Sequence, residues 1–182
     1  MISPRDDLIQ LSDYAGGRLR QRLAGLTDEE YSWEPVPNCR TVRPTGDGRF
    51  RSDGPRTDQA DPRAFTTVSW RLAHIIDLLT ADRVAGWLAV TNVLTWPDVG
   101  DPGTAADALD ALDLALAHWR TVLEATTEES LATTLGPVAG PYADATRRGF
   151  VLHILDELIH HGAEVALMRD LHAAAGGRPL LG

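Results

Sequence analysis

His153-Ile154-Leu155-Asp156-Glu157-Leu158-Ile159-His160-His161-Gly162-Ala163-Glu164 sets three imidazoles and three carboxylates inside an otherwise apolar helical period. That period predicts a helix from about Tyr142 to Ala175, closed by Gly176-Gly177 and Pro179. Residues four apart on a helix share a face, so His153, Glu157 and His161 stack over two turns. The three-four seam that begins at Ile154 runs on through Glu157, His161 and Glu164 to Met168. Metal-competent side chains thus stand where the other helical segments place leucine. A carboxylate buried there is costly unless it is paired or bound to a metal.

Three more segments carry the same periodicity. The first runs from about Asp6 to Leu26, with Leu8, Leu11, Ala15, Leu19, Leu23 and Leu26 on one stripe. Gly16-Gly17 weakens it by roughly 1 kcal/mol per glycine relative to alanine. The second spans about Thr66 to Val90, with Val68, Leu72, Ile75, Ile76 and Leu79 apolar. The third runs from Thr104, a good N-cap, to Ala125, with Leu109, Leu112, Leu116, Trp119 and Leu123 in register. No stretch alternates with period two for long, so strands are at most minor. Four long amphipathic helices predict an all-α chain, an antiparallel four-helix bundle formed as one domain over residues 1–182. The connection from Thr27 to Phe65 is long for a bundle. Its Arg43–Pro62 part is expected to be exposed and flexible, while Tyr31-Ser32-Trp33-Glu34-Pro35 supplies aromatic anchors that pack.

Composition narrows the function. The net charge of −9 argues against nucleic acid, which calls for a basic stripe. All 17 basic residues are arginine, so Schiff-base and P-loop lysine chemistry are excluded. Cys39 is the single cysteine, which forbids an intrachain disulfide or a thiolate cluster. It lies near Arg40 and Arg43 but is expected to be inert. No signal peptide is visible from Met1 to Leu11, and no apolar run reaches the ~20 residues of a membrane span. A soluble, cytoplasmic protein is expected.

An i, i+4 Glu/His pair can give an oxygen and an imidazole nitrogen to one ion, and a third ligand must come from another helix. His74, one turn after Trp70 on an apolar helix, is the candidate. Two imidazoles and one carboxylate with open positions suit catalytic Zn²⁺, Ni²⁺ or Fe²⁺. The same spacing also occurs on solvated helix faces, so spacing alone leaves both readings open. Asp156 with His160 is the other register. Glu157-x-x-His160 has no second copy, which argues against a two-metal carboxylate bundle, and the His-Glu-x-x-His, G-x-G-x-x-G and G-x-S-x-G motifs are missing. Trp33, Trp70, Trp87, Trp96 and Trp119 read as core or interface residues, His118 as boundary packing and His172 as a surface residue.

Trp70-Arg71-Leu72-Ala73-His74 and Asp156-Glu157-Leu158-Ile159-His160-His161, with Arg169 beyond, resemble the DinB-like superfamily. The resemblance is closest to its mycothiol-dependent branch of maleylpyruvate isomerase and thiol S-transferases, and Glu30-Tyr31-Ser32-Trp33-Glu34-Pro35-Val36-Pro37 is similar to that branch's first loop. The resemblance implies an up-down-down-up bundle, and a divalent metal, zinc first, on His74, Glu157 and His161. It implies a low-molecular-weight thiol, mycothiol, activated for S-transfer to a small electrophile or for isomerisation. Trp70 and Trp33 would border the thiol, and His153 would handle a proton. A homodimer is compatible with it. A non-catalytic metal- or small-molecule-binding bundle is the alternative. Two positions depart from the pattern: Glu164 replaces a common histidine, and Arg40 a common tryptophan.

Overall fold

Hydroxyl side chains open every long helix. Ser3, Thr67, Thr104 and Thr146 each accept a hydrogen bond from the amide three residues on, satisfying a donor that a helix start leaves unpaired. In chain order the elements are α1 (Pro4–Arg22), α2 (Asp28–Ser32), β1 (Val42–Pro44), β2 (Phe50–Ser52), α3 (Val68–Thr80), α4 (Asp82–Leu88), α5 (Ala105–Glu124), α6 (Glu128–Ala132), a 3₁₀ turn (Pro137–Tyr142) and α7 (Arg147–Ala175). The computed structural model describes residues 3–54, 65–91, 93 and 95–181.

Interhelical pairs give the helix directions. Arg20 meets Asp113 at 2.5 Å and Arg120 meets Asp13, so α1 and α5 are antiparallel. Leu19 lies beside Gly162 and Arg22 donates to the Ala166 carbonyl at 2.9 Å, so α1 and α7 are parallel. Arg71 pairs with Glu164 and His74 with Glu157, so α3 and α7 are antiparallel. The order is up-down-down-up. Helices α1 and α3 each pack on α5 and α7, around a core that includes Leu23, Leu72, Ile75, Leu112, Trp119, Ile154 and Leu158.

Three expected boundaries move, the first being the end of α1, at Arg22 rather than Leu26. The helix expected from Thr66 to Val90 breaks at Ala81, whose backbone is extended (φ −56°, ψ 134°). Thr80 Oγ1 donates back to the Ile76 carbonyl at 2.7 Å, which loosens the last turn. The break lets α4 bury Val84 and Leu88 and bring Trp87 to 4.9 Å from the Phe150 ring. The last helix starts at Arg147 rather than Tyr142, because Gly140 (φ 55°) and Pro141 kink the preceding turn and Thr146 supplies the cap.

The long connection packs at its start as expected, and a hairpin follows within the part expected to be exposed and flexible. Tyr31 and Trp33 are buried, and Tyr31 Oη donates to the Pro102 carbonyl at 2.7 Å. β1 and β2 pair antiparallel, Val42 opposite Ser52. The Phe50 ring fits against Gly103, where any Cβ would come within 2.5 Å of it. Thr41, Thr67 and Ser69 share a buried hydroxyl network that ties the hairpin to the start of α3. Residues 55–62, the rest of the stretch expected to be flexible, lie outside the described residues. No helix among the described residues is long and apolar enough to cross a membrane.

Candidate metal centre

His74 reaches from α3 to α7. Its Nε2 lies 3.3 Å from Glu157 Oε2, and His161 Nε2 lies 3.0 Å from the same oxygen. One ligand atom from each of the three residues falls within 4.8 Å of the others. Ligands about 2.0–2.2 Å from a first-row ion stand roughly 2.9–3.5 Å from one another, so both contacts to Glu157 match one coordination shell.

The protons argue the same way. His161 Nδ1 lies 2.7 Å from Glu164 Oε2, a charge-assisted bond in which the ring donates. When the ring is neutral with its proton there, its Nε2 lone pair faces the Glu157 carboxylate. Two lone pairs 3.0 Å apart repel unless a proton or a metal ion lies between them. The donor set therefore fits a divalent cation. Glu164, which departs from the family pattern, is engaged on the far nitrogen of His161.

Burial pushes the His74 imidazole below its ordinary range, the charge of His161 adds to this, and the hydrogen bond to Glu157 opposes it. The neutral ring it favours is the metal-binding form. Burial works against the charge of Glu157. The hydrogen bond from His74 and the charges of His161 and His74 outweigh it and hold the carboxyl below the usual range. Glu164 behaves alike: burial raises it, and His161 and Arg71 more than compensate.

Trp70 organises the α3 side. Its ring stacks on His74 at 5.6 Å and 12°, and the Arg71 guanidinium lies 5.1 Å from its centroid. Trp70 Nε1 donates to the Asp53 carbonyl at 2.9 Å, so the loop holds the ring that holds the ligand. Arg71 Nε sits 2.9 Å from Glu164 Oε2. The roles of Arg71 and Glu164 were missed in the sequence, although both lie three residues from a ligand on its own helix.

The other predicted residues scatter. His153 is exposed one turn before Glu157, and its charge lowers the Glu157 pKa. Asp156 is exposed and outside the trio, while His160 reaches Glu164 at 3.3 Å. Trp33 packs edge-on against His172 at 5.3 Å. His172 is half-buried rather than a surface residue, and helical rise puts it about 16 Å along α7 from His161. His118 meets Trp96 at 6.1 Å, as boundary packing predicts.

The sequence pattern of the DinB superfamily matches residues 13–165, a span that includes all three members of the trio. The chain belongs to the DinB superfamily. Its fold is similar to a crystal structure described as the conserved protein of locus from Enterococcus faecalis. That match has 15% identity and a TM-score of 0.60, and covers 96% of this chain and 99% of the other. At that identity the likeness speaks for the fold alone. No curated protein matches the chain. Members of the DinB superfamily often bind metal, and His74, Glu157 and His161 form one group among the described residues that could hold an ion.

Proposed function

We propose that this DinB-superfamily chain is a metal-dependent enzyme that activates a low-molecular-weight thiol, with mycothiol the leading candidate. The thiol would be transferred to a small electrophile or used for isomerisation. The observation that supports this most is the convergence of His74, Glu157 and His161 with Glu164 turned away onto His161 Nδ1. Three protein ligands leave positions open, the catalytic rather than the structural arrangement. Zinc suits this donor set best, and nickel or iron is compatible with it.

His74, Glu157 and His161 would hold the divalent ion, which would supply the positive charge that favours thiolate over thiol at neutral pH. The chain's own residues set the stage. Glu164, braced by Arg71, fixes the tautomer and orientation of His161, as a carboxylate behind a ligating histidine does elsewhere. Trp70 stacks His74 into place. His153, exposed beside Glu157, passes the thiol proton to solvent. Trp70 borders the trio directly, whereas Trp33 acts at the far end of α7. We place this activity in the cytoplasm, where small thiols stay reduced.

One observation favours another reading. The side chains of His74, Glu157 and His161 are only 12%, 17% and 10% exposed, a narrow opening for a bulky thiol. A metal-binding bundle without turnover, in a regulatory role, would look the same. The test is metal analysis of untagged protein beside His74→Ala and Glu157→Ala, followed by thiol consumption with mycothiol and a panel of small electrophiles. About one equivalent of metal in the wild type, lost from both variants, is expected for three ligands of one ion. Loaded protein that consumes no thiol with any electrophile would sink the enzymatic reading and leave the binding one.

A further inference from the structure

His160, His161 and Glu164 form a second cluster whose ligand atoms lie within 4.8 Å of one another. His160 Nε2 is 3.3 Å from Glu164 Oε1, His161 Nδ1 is 2.7 Å from Glu164 Oε2, and the two imidazole rings stack at 4.6 Å. The His160 side chain is 58% exposed, so an ion in water has direct access. Two imidazoles and a carboxylate repeat the donor set of His74, Glu157 and His161. The first cluster uses Nε2 of His161 and the second its Nδ1, so ions in both would share His161 as a bridging imidazolate, the ring proton now donated to Glu164 being lost to solvent.

What sets the second cluster apart is a side chain from α3. Arg71 places Nε 2.9 Å from Glu164 Oε2, one terminal nitrogen 3.3 Å from Oε1 and the other 3.2 Å from His161 Nδ1. Both carboxylate oxygens and the imidazole nitrogen are thus faced by one planar cation that cannot be deprotonated in a protein. The Trp70 ring, 5.1 Å from the guanidinium carbon, keeps that cation from swinging away.

We propose that His160, His161 and Glu164 make a latent second site for a zinc-like divalent cation, which Arg71 closes by standing in for the ion. The centre takes one metal because the second place already holds a guanidinium. Removing that charge leaves a carboxylate with a histidine on each side and no counter-cation, a setting that draws a divalent ion.

The experiment is Zn²⁺ titration of chelator-stripped protein by equilibrium dialysis, with the bound metal counted. Wild type and Arg71→Lys, which keeps a cation, are expected to bind one equivalent, and Arg71→Met two. Adding His160→Ala to Arg71→Met returns the count to one, whereas His160→Ala alone leaves it at one. Should Arg71→Met lose its helical circular dichroism, Arg71→Gln takes its place with the same expectation. Two equivalents in the wild type, no gain on removing the charge, or a gain that survives His160→Ala each overturns the proposal. If wild type binds none while Arg71→Met binds one, lost with His160→Ala, the closed second site stands and the single-metal reading falls. No zinc in either protein ends both.

Discussion

Helix α3 takes part in two seams of opposite character. Leu72, Ile75 and Leu79 lie in the core with Leu112, Ala115 and Trp119 of α5, none with exposed surface. Arg71 and His74 face Glu157, His161 and Glu164 of α7 through hydrogen bonds and ion pairs. Burying apolar surface drives folding, whereas burying charged groups opposes it unless every partner is in place. The apolar seam therefore carries the fold and the polar seam carries the chemistry. A chain that kept five polar side chains between two core helices for stability alone would gain by replacing them.

The largest expected effect tests the first half of that contrast. Leu112→Ala should cost about 2–5 kcal/mol of apoprotein stability, read from urea unfolding, while the folded protein keeps its metal stoichiometry. His74→Leu should abolish metal binding and, because Glu157 keeps His161 at 3.0 Å as a partner, cost the apoprotein less stability than Leu112→Ala. A His74→Leu apoprotein that unfolds as readily as Leu112→Ala would erase the distinction. Chelation comes next. The apolar seam does not depend on an ion, so stripped protein should keep its helical circular dichroism. Zinc restored at a hundredfold its dissociation constant should add about 2.7 kcal/mol.

How much of this the sequence showed follows the same division. Leucines at three-four spacing and hydroxyl caps such as Thr104 mark four helices, because burial and capping act over one or two turns. The break at Ala81 was not legible. Alanine favours helix, and the bend depends on Thr80 bonding backwards and on where Trp87 packs. Strands β1 and β2 are three residues each, too short to show an alternation. At the site, the spacing of Glu157 and His161 and the isolation of His74 announced their convergence. Spacing gives a face but not a nitrogen, so the role of Glu164, whose oxygen sits on His161 Nδ1, was not visible. The distance of Trp33 from the trio was equally hidden, since neighbours of a loop are fixed by where it docks.

The middle-sized effect concerns the brace behind the ligand. Glu164→Ala removes the acceptor of His161 Nδ1 and the partner of Arg71 without touching the trio itself. Zinc affinity should fall about 10–100-fold, with the stoichiometry still one, as competition against a chromophoric chelator would show. Unchanged affinity would mean that His161 is oriented by packing alone, and the polar seam would shrink to its three ligands.

The smallest effect is a dependence on pH in the apoprotein. The folded His74 imidazole lies below its ordinary value of 6.5, because burial disfavours its charged form. The unfolded chain therefore binds that proton first, and stability is lost as pH falls from about 6.5 toward the folded value. Glu157 and Glu164 also lie below their ordinary 4.5 in the folded protein, through their histidine and arginine partners. Their contribution is present above 4.5 and is lost as pH falls through their folded values, so both groups weaken the bundle in acid in successive windows. His74→Leu should delete the upper window and keep the Glu164 part of the lower, measured as the urea midpoint of metal-free protein against pH. Leu112→Ala should lower the whole curve without changing its shape, because that seam has nothing to titrate. If the upper window survives in His74→Leu, another group is its source, and the polar seam would not be what makes this bundle sensitive to acid.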